Sequence, residues 1–199
     1  MKIVKHLLMA TLTLCSLSCA AEVLPQPQTT GGLPLMDVMS ARKSSRDIDP
    51  SQGITRQDLS NMLWAAWGET HDGKRTIATA MNRQELVLYV VTATEVSRYD
   101  ADHNTLTAIG KGDFREATGK QDFAKTAPVN IVLAVDTDKQ PRAEFQAYTA
   151  GAASQNIYLY CAHAGLKTVV RAMFDDDALR QALQMPANEK ILFVQTIGR

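Results

Sequence analysis

The chain has 199 residues, 21 Lys+Arg against 21 Asp+Glu and 45% hydrophobic residues, so its formal charge is zero. That balance gives no electrostatic footprint for a nucleic-acid partner, and the length suffices for one domain with a sizeable core.

Residues 1–20 read as an export signal. Lys2, Lys5 and His6 make a basic start, residues 7–17 are an apolar run too short to span a membrane and stop, and Ser18-Cys19-Ala20 is a small-x-small cleavage site. The expected location is the periplasm. The alternative is a lipoprotein lipidated at Cys19, against which stands Ser16, where a large aliphatic is usual. Removing the segment takes away Lys2 and Lys5 and leaves a net charge of about −2. It also removes Cys15 and Cys19; Cys161 alone cannot form an internal disulfide, so the core must hold the domain together.

Residues 21–33 carry Pro25, Pro27, Thr29, Thr30, Gly31 and Gly32, the composition of a flexible or extended leader outside the core. The domain proper is expected over 34–199. Leu35, Met36, Val38 and Met39 follow Pro34 at helical spacing, and the short helix they predict runs into Arg42-Lys43-Ser44-Ser45-Arg46. A second helix is expected from Thr55 to about Trp67. Thr55 is its N-cap, Asp58 answers at N3, Ile54 can staple to Leu59, and Gly68 ends it. Trp64 and Trp67 lie three apart on a second face, as anchors of an interface would.

Residues 70–83 are polar and irregular. Residues 84–92 read as a strand, 96–99 and 105–109 as a hairpin turned at 102–104, and 113–119 as a short helix. Residues 129–135 are a nearly continuous apolar strand, expected to be buried on both faces. A long helix over 142–164 is stopped by Gly165. No formal charge falls between Glu144 and Lys167, and the helix's apolar residues do not keep to one side: Phe145, Tyr148, Ala152 and Leu159 make one stripe, with Ile157, Tyr158, Tyr160 and Cys161 around it. That predicts a buried helix in a soluble domain, with no membrane span because of its Gln, Ser, Asn and His residues, packed through Ala150–Ala153 against a second long helix of this chain or a partner. Asp175 caps a helix over 176–183, and 191–197 is the last strand. The fold class is α+β, a mostly antiparallel sheet packed on long central helices.

Three cations and two hydroxyls within residues 42–46 suit a phosphate; the alternative is a solvated helix end. Asn82 and Gln84, just before a strand, suit the edge of a planar heterocycle, or are a capped loop. Residues 167–173 offer backbone groups to a ligand, or are plain core. His163 reads as a hydrogen-bonded core histidine and Asp175-Asp176-Asp177 as a helix start. No Walker loop, GxGxxG, nucleophile elbow or metal-ligand spacing occurs.

Five pieces carry a resemblance: ARKSSRDI at 41–48, LWAAWG at 63–68, GKRTIATAMNRQELVLYVV at 73–91, SQNIYLYCAHAGLKTVVRAMFD at 154–175 and LFVQTIGR at 192–199. In this order they resemble the nitroreductase family of flavin enzymes, and most the short branch with the azoline-oxidising dehydrogenases of peptide maturation. The resemblance implies an FMN-dependent oxidoreductase transferring hydride by a ping-pong mechanism to or from a nitroaromatic, quinone or heterocycle. It also implies a homodimer with FMN at the interface. The alternative is a non-catalytic flavin- or anion-binding protein on the same fold. It places Arg42, Lys43 and Ser44 at the FMN phosphate, and Arg46 near the pyrimidine side of the ring. Asn82 and Gln84 fall at ring or ribityl, Val170, Arg171 and Ala172 by backbone along the flavin edge, and Gly198 and Arg199 at the phosphate. Ala172-Met173 stands where the family has Gly-Gly or Glu-Gly. The chain stops at Arg199, without the family's long C-terminal arm. No side-chain acid or base is required, and no catalytic residue is assigned.

Overall fold

The computed structural model describes residues 21–199; the expected export segment lies outside the described residues. Seven strands, β1 (Glu22–Val23), β2 (Leu86–Val91), β3 (Glu95–Asp100), β4 (Thr105–Lys111), β5 (Val129–Asp136), β6 (Lys167–Arg171) and β7 (Glu189–Gly198), form one sheet in the order β1-β4-β3-β2-β5-β7-β6. Every pairing is antiparallel. Five helices, α1 (Leu35–Ala41), α2 (Arg56–Trp67), α3 (Asp122–Thr126), α4 (Ala143–Ala164) and α5 (Asp176–Ala182), pack around it. The α+β class holds.

Local chemistry sets these elements. Thr55 accepts from Asp58 N at 2.9 Å while the Asp58 carboxylate reaches back to Thr55 N at 3.4 Å, a capping box that starts α2 where the sequence places it. Gly165 ends α4 at φ 66°, a left-handed turn that costs glycine little. β5 lies mid-sheet with Val129 to Val135 buried throughout, as a strand covered on both faces must be. On one face, Leu59, Met62 and Leu63 of α2 and Ala153, Ile157 and Cys161 of α4 pack on Leu88, Ile131, Leu133 and Ile197. On the other, Leu179 and Leu183 of the α5 region cover Tyr89, Val132 and Val194.

The structure corrects several expectations. The leader is not outside the core: β1 extends the sheet along β4, and Leu24 is 2% exposed in the main cluster. Gln28 N–H donates to Asn61 Oδ1 at 2.8 Å and holds the following stretch to α2. Alternation over two residues is too short to be read as a strand. α4 is not buried all round. Gln146, Thr149, Ala150, Ala153, Ser154, Ile157, Tyr158 and Cys161 make one buried stripe, while the Phe145–Tyr148–Ala152–Leu159 stripe lies on the opposite side, with Tyr148 56% exposed. His163 is exposed and accepts from Leu33 N at 3.3 Å, so it is not a core histidine. Trp67 belongs to the protomer core and only Trp64 remains half-buried. Residues 167–171 are the edge strand β6, and 113–119 hold only a 3₁₀ turn, Arg115–Thr118.

Cys161 is fully buried beside Met62, with Sγ 3.9 Å from Sδ, and burial pushes its thiol up to about 12. At pH 8 the native chain should therefore not react with a disulfide reagent until it unfolds. Cys161→Ala should cost about 1 kcal/mol or more through the cavity left, read by urea denaturation, with turnover unchanged. Fast labelling of the native protein, or lost turnover at an unchanged midpoint, would show a reactive thiol instead.

Candidate functional site

α1 stops at Ala41 because Arg42 is extended, at φ −55° and ψ 123°. The chain then crosses the free edge of β6, where Ser45 N–H donates to Thr168 O at 2.9 Å. The turn is fixed from below by Tyr158 of α4. Ser44 Oγ and the Tyr158 hydroxyl share a hydrogen bond of 2.8 Å, and Val170 N–H donates to the same hydroxyl at 3.0 Å. The Arg42 guanidinium lies over the Tyr158 ring, 5.3 Å from its centroid. One buried phenol thus joins three of the expected site residues. Tyr158 carried no signal of this in the sequence, since a tyrosine on an apolar helix reads as packing.

Among the described residues, no carboxylate lies within ion-pair distance of Arg42, Lys43 or Arg46. The nearby Lys167 is paired with Asp47 at 3.0 Å. Lys43 and Arg46 are exposed and Arg42 is half-buried. Three uncompensated cations around hydroxyl donors on a pinned turn fit an anion of phosphate type.

Arg199 is placed differently. Its Nη2 pairs with Asp58 at 3.0 Å and its Nε donates to Gly53 O at 3.3 Å, while its carbonyl accepts from Asp49 N at 2.7 Å. Its charge is already compensated at the start of α2. Gly198 packs against Ile48 and Pro128 with no room for a Cβ, so glycine there serves a close approach.

Arg171 points away from this site. Its guanidinium, 7% exposed, lies on the opposite sheet face, with Nε and Nη2 on Thr196 Oγ1, Nη1 on Thr118 O at 2.8 Å and Nη2 on Asn130 Oδ1 at 3.0 Å. Burial lowers it to about 10. The side chain is part of the fold, and only its backbone, with Val170 and the exposed Ala172, remains on the site's edge.

Asn82 and Gln84 form a separate group. Met81, Asn82 and Gln84 all have positive φ. Gln84 Nε2 donates to Gly73 O at 2.9 Å and to Asn82 Oδ1 at 3.3 Å, and Gln84 Oε1 accepts from Arg75 Nε at 2.9 Å. This loop precedes Leu86, which pairs with Val135, whereas Ser45 sits on Thr168 at the level of Ile197 and Val129. The six-residue rise from Val129 to Val135 is roughly 20 Å. Within one chain the loop and the cation turn therefore lie at opposite ends of the sheet.

Tyr158→Phe should orphan Val170 N–H and release Ser44, lowering stability by about 1–2 kcal/mol in urea denaturation. An unchanged midpoint would remove the phenol from its bridging role.

The sequence model described as the Nitroreductase family matches residues 39–199. A candidate nitroreductase of Methanocaldococcus jannaschii is 28% identical over 182 residues, 83% of this chain and 90% of its own. The crystal structure of a candidate nitroreductase from Ralstonia eutropha JMP134 is 34% identical with a TM-score of 0.83, covering 100% of this chain and 97% of that one. A candidate nitroreductase from Desulfovibrio desulfuricans, solved in complex with FMN, is 18% identical with a TM-score of 0.64, covering 84% and 87%, a likeness of fold. The chain belongs to the nitroreductase family.

Proposed function

We propose that this chain is an exported, FMN-dependent oxidoreductase that works as a homodimer. It passes hydride in a ping-pong cycle to or from a small organic molecule such as a nitroaromatic, quinone or heterocycle. The observation that carries the reading is the uncompensated cation turn at 42–46, held by Ser44 and Tyr158. The FMN in the Desulfovibrio relative favours this flavin over another anion. FMN, when bound, supplies the two-electron chemistry. Arg42, Lys43 and Ser44 would hold its phosphate. Arg46 would set a positive field beside the ring, where reduction adds negative charge.

Two features favour a second copy. The outer stripe of α4 and the exposed Met36, Met39 and Met81 leave apolar surface uncovered in one chain. The Asn82 loop and the Arg42 turn lie too far apart to meet on one flavin within a chain, whereas antiparallel pairing of two α4 helices brings the loop of each copy toward the turn of the other. Phe145 and Tyr148 then replace the two tryptophans as aromatic anchors.

The visible spectrum of the purified protein, with the flavin identified after release, tests the cofactor. A yellow protein that never reoxidises a reduced donor would be a binding protein on this fold. Arg42→Ala should weaken FMN binding by about 1.5–3 kcal/mol, and Lys43→Ala by less, because Arg42 is preorganised on Tyr158 and Lys43 is not. Equal titrations of wild type and Arg42→Ala would exclude Arg42.

Tyr148→Asp should split the dimer and release FMN together, followed by light scattering and flavin fluorescence over a dilution series. A monomer that keeps FMN would show that the site is complete in one chain.

A further inference from the structure

β6 is a free edge of the sheet, and it runs from the cation turn to two exposed residues, Ala172 and Met173. Backbone groups that face outward alternate along this edge. Thr168 O accepts from Ser45 N–H, and Val170 N–H donates to the Tyr158 hydroxyl. Ala172 is next in that alternation, and its N–H has no acceptor among the described residues. An extended chain rises roughly 16 Å over the five residues from Thr168 to Met173. An elongated ligand held by its phosphate at Arg42 and Ser44 would therefore follow this edge toward Ala172 and Met173.

Met173 is anchored from both sides. Before it, the Arg171 guanidinium is buried on the far sheet face among Thr118, Asn130 and Thr196. After it, Phe174 packs on the far-face cluster, and Asp175 N–H donates to Ala117 O at 3.3 Å. Between these anchors the Met173 side chain is 58% exposed. A single exposed apolar residue is ordinary. What sets this one apart is a pinned backbone beside a free donor at the end of the proposed flavin edge. The thioether is unbranched, polarizable and suited to the edge of an aromatic ring, and it offers no partner to a charged group.

We propose that Met173 is a specificity-determining residue: its side chain packs against the organic substrate at the ring end of the flavin and favours flat, apolar aromatic molecules. This rests on the reading that the turn at 42–46 holds FMN.

The test is titration of the oxidised, FMN-loaded protein with menadione, a flat apolar quinone, followed by the flavin difference spectrum. Both partners are oxidised, so binding is read without turnover. Wild type should bind. Met173→Ala should weaken menadione binding roughly three- to tenfold, with FMN content and dimer mass as in wild type. Met173→Leu, which restores an apolar side chain of similar size, should bind within about twofold of wild type. A flavin-loaded wild type that does not bind menadione, or binds it no better than Met173→Ala, overturns this inference and leaves the flavin reading standing. Loss of FMN or of the dimer in Met173→Ala also overturns it, because the side chain would then be a cofactor or subunit contact. A purified wild type without FMN overturns the functional reading, and this inference with it.

Discussion

The structure depends on one constraint: a single helix, α4, must close one face of the sheet and still satisfy every polar group it brings there. Its buried stripe is half polar, and each polar member has a partner on a different element. Thr149 bonds Glu85 at the start of β2, at 2.6 Å. Ser154 reaches Gln195 of β7 at 2.8 Å, and beside the stripe the half-buried Asn156 donates to Ala65 O of α2 at 2.8 Å. Tyr158 takes the cation turn and the edge of β6. Unpaired, each of these would cost about 1–3 kcal/mol in the interior, so the helix has one acceptable rotation and depth. That register is also what places Arg42, Ser44 and Val170 around one phenol.

The opposite sheet face meets a harder version of the same problem. Arg171 is buried with no carboxylate within ion-pair distance among the described residues, and its charge is spread over Thr196, Asn130 and Thr118. The Phe123 ring adds a cation–π contact at 5.7 Å. A guanidinium tolerates this better than an ammonium, because its charge is delocalised and its donors form a rigid fork. The arrangement leaves the backbone of β6 free to border the site while its side chains anchor it from behind.

Function is divided along the same lines. Rigid elements carry the groups that must be held in place, and the cation turn and the Asn82 loop are the irregular segments that carry the candidate site residues. Along the sheet the two segments are separated by the rise of β5 from Val129 to Val135. The outer stripe of α4, with Tyr148 56% exposed, is uncovered in one chain.

Much of this was legible in the sequence. The α2 capping box, the Gly165 stop, the buried run of β5 and the Asp175 cap are local patterns whose physics involves a few neighbouring residues. The basic turn and the five family-like segments were equally local. What the sequence left undetermined is whatever depends on partners distant in the chain. Leu24 entered the core because β4 offers an edge far along the chain, and Arg171 turned to the face where Thr118, Asn130 and Thr196 meet. Tyr158 became a bridge because α1 delivers Ser44 to it across 114 residues. Which stripe of α4 is buried was likewise decided by the tertiary structure: the half-polar stripe goes inside because distant elements supply partners for its polar groups, and the more apolar one is left outside. Sequence periodicity shows that a face is apolar, but the tertiary structure determines what that face meets.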